Sequence, residues 1–387
     1  MQKIEEMTKY GRVSRKNKIK IGVLLLDDIH HVYHAAPIGF ALSQLEENEV
    51  EFYFNRDCNK DAALRLASQF PGQKAKFRRL DLPWRFRFYA RLRGRPFPKM
   101  RRVFKQHHEQ LLRNDTLLLA DFTQVSELMK HKKNSATKLV MCFHGAGDRA
   151  YAFSEDLKFF DLLLVSGKKY KSRIQNELNI SEKKVQIIGY PKFDIALKNA
   201  ARPVFSDQNP VVIYNPHFDE KLASWFNWGE QILHWFSKNT QYNLILAPHI
   251  MLTRKYNLEK LVKKFNAKNI YLASPDDERC ANMDFLKLAD LYMGDVSSQV
   301  YEFIYRPRPC LFLNSHQISW RGSPNYYHWQ LGPVADTLDE LFRLIPQASK
   351  FQKDFEENQK RMFEETFISP DSLASAKAAE LISELHH

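Results

Sequence analysis

The sequence lacks any apolar run long enough to cross a bilayer. Its longest, Ile21-Gly22-Val23-Leu24-Leu25-Leu26, stops at Asp27-Asp28, against the roughly 20 apolar residues that a spanning helix needs. No apolar stretch of signal-peptide length follows the basic N-terminus, where Met1 to Lys20 carries seven bases and two acids, so export by a leader is not expected. Cysteine is scarce. Cys58, Cys142, Cys280 and Cys310 form neither a C-x-x-C pair nor a framework, which fits a reducing cytoplasm. The chain also has no internal repeat, no low-complexity tract, and no His/Cys cluster at metal-ligand spacing, so no metal ligand is assigned. What is present suffices for a sizeable core: 44% hydrophobic and 13% aromatic residues exclude a wholly disordered chain. A length of 387 residues suggests two or three domains.

The formal charge of +13 is concentrated. Between Lys74 and Lys105 stand thirteen bases, among them Arg85, Arg87, Arg91, Arg93 and Arg95, and one acid, Asp81; the remainder, with 45 bases and 44 acids, is balanced. Trp84, Phe86, Phe88, Tyr89 and Phe97 are interleaved with these bases, and Pro83, Gly94, Pro96 and Pro98 divide the segment into short pieces. Rings beside cations suit an anionic lipid surface, where each base is worth about 1 kcal/mol. A solvated basic loop with a few rings in the core is the plainer alternative. Nucleic acid ranks last and is not an expected partner, because no zinc-ligand spacing, RNA-binding strand signature or basic zipper accompanies the patch.

Short apolar runs alternate with amphipathic stretches, the pattern of a parallel sheet with crossover helices. The predicted strands are 19–27, 50–54, 116–120, 138–143, 161–165 and 185–188, then 211–214, 244–247, 270–273, 291–293 and 309–313. Helical patterns cover 38–46, 61–70 and 170–178 in the first half, and 337–345, 351–367 and 372–385 at the end. Turn formers at Ala201-Arg202-Pro203 and Asp207-Gln208-Asn209-Pro210 mark the break. The expected fold is therefore α/β, with two doubly wound Rossmann-like domains, residues 1–205 and 206–387, the second including the closing C-terminal helices. Their cleft lies between the carboxyl ends of both sheets, where such folds bind ligands.

Three strand ends carry candidate chemistry. His144-Gly145 closes the run Leu139 to Phe143 and opens the loop Ala146-Gly147-Asp148-Arg149. A histidine there is placed as a general base, or as a hydrogen-bonded structural residue. Gly294-Asp295-Val296-Ser297-Ser298 joins a strand to a helix, so hydroxyls and N–H groups meet where a phosphate can be held, although Ser297 alone reads equally as an N-cap. Glu302 follows, suited to a ribose diol or to the surface. Pro248-His249 ends a third run, where an imidazole can donate to a phosphate oxygen; Pro216-His217 sits comparably.

The ordered series His144-Gly145 with Arg149, Gly189-Tyr190-Pro191-Lys192-Phe193-Asp194, Pro248-His249, Gly294-Asp295-Val296-Ser297-Ser298 with Glu302-Phe303, and Gly332-Pro333-Val334 before Thr337-Leu338-Asp339-Glu340-Leu341 resembles the CDP-glycerol glycerophosphotransferase family. The resemblance runs from about residue 138 to 345 and implies a GT-B fold with an acceptor domain followed by a nucleotide domain. It implies His144 as catalytic base, His249 as a second catalytic histidine, and donor contacts from Arg149, Gly294, Asp295, Ser297, Ser298 and Glu302. The loop His144 to Arg149 departs from the family's H-G-T-P-L-K in its middle three residues, which add an acid, and Tyr214 to Phe218 lacks the family's arginine. The implied enzyme moves glycerol phosphate, or a similar phosphoalditol, from a CDP-activated donor to a hydroxyl of a lipid-linked saccharide. It would work from the cytoplasm, peripheral on the inner face of the plasma membrane, with the basic segment as the docking or acceptor patch. Mg2+ carried on the donor pyrophosphate is compatible with the absence of assigned ligands. A GT-B glycosyltransferase or 2-epimerase-like enzyme using a UDP- or CMP-sugar is the alternative, and a non-catalytic nucleotide-binding scaffold is the third reading.

Overall fold

A computed structural model describes residues 18–93, 100–123, 125–148, 152–274, 277–371 and 373–387. Strand β1 (Ile19–Leu25) buries Ile21, Val23 and Leu25 in one core and Leu24 in another. A strand that is apolar on both faces belongs inside a parallel sheet covered by helices on either side. The others are β2 (Asn48–Phe54), β3 (Lys76–Arg79), β4 (Thr116–Leu119), β5 (Lys138–Cys142), β6 (Leu162–Val165) and β7 (Val185–Ile187), and in the second half β8 (Val211–Asn215), β9 (Asn243–Leu246), β10 (Ile270–Leu272), β11 (Leu291–Gly294), β12 (Cys310–Leu313) and β13 (Val334–Ala335). They form two sheets, ordered β3-β2-β1-β4-β5-β6-β7 and β10-β9-β8-β11-β12-β13, with parallel pairing throughout. In each sheet the strand order reverses direction beside the first strand, between β1 and β4 and between β8 and β11. Ligands of doubly wound sheets bind at such switch points, outside the carboxyl ends of the strands.

The predicted strands fall within two residues of these bounds. Two were not predicted, β3 and β13, the first because its sequence Lys76-Phe77-Arg78-Arg79 alternates charge with a single ring. It is an edge strand, and its bases pair with acids from elsewhere: Lys76 Nζ reaches Glu49 at 2.7 Å, Arg78 Nε reaches Glu51 at 2.7 Å, and Arg79 pairs with Asp57 and Asp81. After α1 (Ile29–Gln44) and α2 (Asp57–Ala67), the described residues of the basic segment beyond β3 form helices α3 (Trp84–Leu92) and α4 (Met100–Leu111), more order than its prolines suggested.

Helix α1 (Ile29–Gln44) begins nine residues earlier than predicted and carries Pro37 inside it. A proline inside a helix costs a backbone hydrogen bond. Here α1 is buried from His31 to Ser43 between the first sheet and the helix Ala374–Glu384, and that packing outweighs local propensity. This C-terminal helix also corrects the expected boundary. The chain crosses back at Thr366 to Ile368, where Ser166 Oγ donates to the Thr366 carbonyl at 2.8 Å and the Ile368 N–H donates to the Ser166 carbonyl at 3.2 Å. Asp194 then caps the helix, accepting from Ala374 N at 3.1 Å and Ser375 N at 2.7 Å. Ala378, Ala379 and Ile382 join the core of the first sheet, so residues 374–384 pack with the first domain and not with 206–387 as expected.

Candidate active site

The ends of β1, β5, β8, β9 and β11 converge on a cleft with about 270 Å³ of open volume, lined by His30, His34, His144, Lys192, His217, His249, Ser297, Ser298 and Glu302 among others. On the side of the second sheet, the Pro-His turns after β8 and β9 hold their imidazoles in the same tautomer. His217 Nδ1 accepts from Asp219 N at 3.1 Å, and His249 Nδ1 accepts from Met251 N at 3.1 Å. Each ring therefore carries its proton on Nε2, as a donor to an anion must. The rings stand 5.4 Å apart, centroid to centroid. His217, ranked below His249 on sequence grounds, thus has the same chemistry.

Ser297 and Ser298 reach the cleft as expected, but Asp295 and Gly294 do not line it. The Asp295 carboxylate is buried and fully occupied, taking His217 N and Val296 N on Oδ1 at 2.8 Å each, and Ser224 N and Oγ on Oδ2 at 2.8 and 2.9 Å. Its carbonyl accepts from His328 Nε2 and Trp329 Nε1. Burial pushes the carboxyl pKa up, against the pull of those donors. An anion so used shapes the turn and grips no phosphate. Gly294 is required for packing, because a Cβ there would stand 2.7 Å from the Tyr292 hydroxyl. The two donor-binding assignments are corrected accordingly.

On the other side, His144 follows β5 and its Nδ1 donates to the Ala120 carbonyl at 2.5 Å. This leaves Nε2 as the basic nitrogen. The loop after it approaches the Ser297-Ser298 turn so closely that a Cβ on Gly147 would lie 3.1 Å from Ser298 Cβ. Next comes Asp148, the acid that sets this loop apart. It ties the two domains, accepting from Lys169 Nζ at 3.0 Å, Tyr301 Oη at 2.8 Å and His328 Nδ1 at 3.2 Å. Burial alone would raise its pKa, but the His328 hydrogen bond and the Lys169 ammonium hold it down at about 2.

Glu302 lines the cleft, with a donor already on each carboxylate oxygen. Tyr190 Oη donates to its Oε1 at 2.8 Å and Lys192 Nζ to its Oε2 at 2.7 Å, in a buried pair. The turn that delivers both partners depends on Gly189, whose φ of +95° side chains rarely adopt. Arg149 lies outside the described residues.

The sequence reading missed one group entirely. His30, His31 and His34 occupy the first turns of α1, and the His31 and His144 rings lie 3.9 Å apart between centroids, tilted by 32°, with His30 at 5.5 Å from His144. Burial, reinforced by the neighbouring imidazoles, pushes the pKa values of His31 and His34 well down and that of His30 to about 3. Nearby, burial and the charge of Asp121 lift Asp27 to about 7. The only signal in the chain was the spacing His30-His31-x-x-His34 after a strand.

The described residues of the basic segment do not line this cleft. On α3, Trp84 (77% exposed), Phe88 (52%) and Leu92 (66%) recur every fourth residue, so they form one apolar stripe facing solvent. Arg85, Arg91 and Arg93 stand on the same short helix and its end, and none forms a salt bridge among the described residues. Arg87 is described in its backbone alone, and Arg95 lies outside the described residues. Arg101 is partly neutralised by Glu127 at 2.9 Å.

Two doubly wound sheets closing on a shared cleft define a two-domain α/β transferase fold of the GT-B type. Solved structures agree with that architecture. A Neisseria meningitidis UDP-GlcNAc 2-epimerase bound to UDP-GlcNAc matches with a TM-score of 0.64 and 14% identity, over 95% of this chain and 99% of that one. The wall teichoic acid polymerase TagF matches with a TM-score of 0.64 and 13% identity, over 95% and 89%. A TagF structure soaked with CDPG gives 0.64 and 14%, over 96% and 91%. No curated protein matches. The family described as CDP-glycerol:poly(glycerophosphate) glycerophosphotransferase matches over residues 104–384. The chain belongs to this family and is a glycerophosphotransferase.

Proposed function

We propose that this enzyme transfers glycerol phosphate from CDP-glycerol to a hydroxyl of a lipid-linked acceptor in the synthesis of a teichoic-acid-like polymer, while docked on an anionic membrane through α3. The reading is carried by the pairing of a basic Nε2 on His144 with the Ser297-Ser298 turn across the cleft. His144 takes the proton of the acceptor hydroxyl as its oxygen attacks the β-phosphorus. The bond from that phosphorus to the bridging oxygen breaks, and CMP departs with the electron pair. The Nε2–H groups of His217 and His249 and the hydroxyls of Ser297 and Ser298 stabilise the departing charge, as donors preorganised in a cleft do. Glu302, held by Tyr190 and Lys192, retains lone pairs for the donor's ribose.

The apolar stripe of α3 favours a membrane over a plain solvated loop, since an amphipathic helix with rings on one side and arginines beside them lies in a lipid interface. No helix among the described residues is long and apolar enough to cross a membrane. The test of the chemistry is His144→Ala, assayed as CMP released from CDP-glycerol. A positioned base contributes about 10²–10⁴ in rate, so turnover falls by at least about a hundredfold while the melting temperature holds. Transfer near the wild-type rate would remove His144 from this role.

A further inference from the structure

We infer that His30, His31 and His144, with Asp27 and Asp121 beside them, form a binding site for a divalent transition-metal cation of the Zn2+ class at the switch point of the first sheet. Two overlapping triads support this. The ligand atoms of His30, His31 and His144 all lie within 4.8 Å of one another, and so do those of Asp27, His31 and Asp121. Ligand atoms around a tetrahedral Zn2+, with bonds of about 2.0–2.1 Å, stand about 3.4 Å apart. Ligand atoms 4.8 Å apart or less therefore need to close by at most about 1.4 Å to reach that spacing. His31 belongs to both.

A second observation is independent of that proximity. His31 is 7% exposed, and its Nδ1 is buried with no hydrogen-bond partner, 4.0 Å from Asp27 Oδ2. A buried polar atom without a partner costs free energy unless something satisfies it. The topology gives the arrangement its place. Asp27 follows β1, Asp121 follows β4 and His144 follows β5, three adjacent carboxyl ends, while α1 brings His30 and His31 over them. Imidazole and carboxylate ligands together suit Zn2+ and its neighbours in the transition series better than Mg2+, which prefers an all-oxygen shell. His30 and His144 line the cleft, so the site opens toward it, and three protein ligands with one open position is the pattern of a reachable zinc site.

One consequence rests on the proposed function. His144 Nδ1 is committed to Ala120, so the cation and the acceptor's proton draw on the same Nε2 lone pair. Zn2+ therefore inhibits transfer, and a chelator restores it. The experiment titrates the metal-stripped full-length protein with Co2+ and follows the visible absorption of the bound ion. One Co2+ per chain is expected, displaced by Zn2+. His31→Asn and Asp27→Asn should each weaken binding at least tenfold, with circular dichroism confirming that both remain folded. Absence of Co2+ absorption, or equal binding by both folded variants, overturns the site. Stimulation of CMP release by Zn2+ overturns the inhibition. If Co2+ binds as expected while His144→Ala transfers normally, the base assignment fails and the metal site stands.

Discussion

Asp148 ties the halves of the molecule together, and Asp148→Asn measures how much that tie contributes. The carboxylate holds Lys169 on one oxygen and Tyr301 and His328 on the other, and all of these side chains are largely buried. Its pKa of about 2, against an ordinary 3.8, corresponds to roughly 2 kcal/mol of stability at neutral pH, at about 1.4 kcal/mol for each pH unit. Asparagine keeps the shape and one acceptor but leaves the Lys169 ammonium buried against a neutral amide. Removing one partner of a buried ion pair typically costs about 3–5 kcal/mol, so the expected loss is about 2–5 kcal/mol and the melting temperature falls by at least about 2 °C. The sign with pH follows from the depressed pKa: the contribution is present above 3.8 and fades as pH falls toward 2, with roughly half gone by pH 3. The stability gap between the two proteins in urea should therefore narrow by about 1 kcal/mol between pH 7 and pH 3. A melting temperature within about 1 °C of wild type, or a gap that does not change with pH, would refute the clasp.

Further outcomes follow from the site and from the basic segment. Ser297→Ala with Ser298→Ala should raise the KM for CDP-glycerol while leaving the melting temperature near wild type. Asp295→Ala should do the reverse, because it strands the buried N–H groups of His217, Ser224 and Val296 at about 1–3 kcal/mol each. A shared phenotype would return Asp295 to the donor contacts. Neutralising Arg91 and Arg93 together should lower partitioning onto anionic vesicles roughly 30-fold, at about 1 kcal/mol per base. Replacing Trp84, Phe88 and Leu92 by serine should abolish flotation even at low salt, with CMP release from soluble acceptor analogues retained. Unchanged flotation of both variants would make α3 an ordinary surface helix.

The two sheets were legible in the sequence because a strand buried on both faces must be apolar at every position, and runs such as Leu162 to Val165 show this without reference to anything distant. The edge strand β3 was not legible, since its stability comes from pairing with β2 and from acids some 25 residues away. Likewise the start of α1 and the return of the last helix to the first domain were set by what packs there, not by propensity. The site divides in the same way. Strand-end position picked out His144, His249, Ser297 and Ser298, because the loops leaving the carboxyl edges of a doubly wound sheet border the cleft. Only the tertiary structure could separate Ser297 from Asp295 two residues earlier, since hydrogen-bond partners decide which side chain is spent inside the turn. Only it could join His31 to His144 across 113 residues, because β1, β4 and β5 become neighbours through the order of strands in the sheet, which no local pattern records.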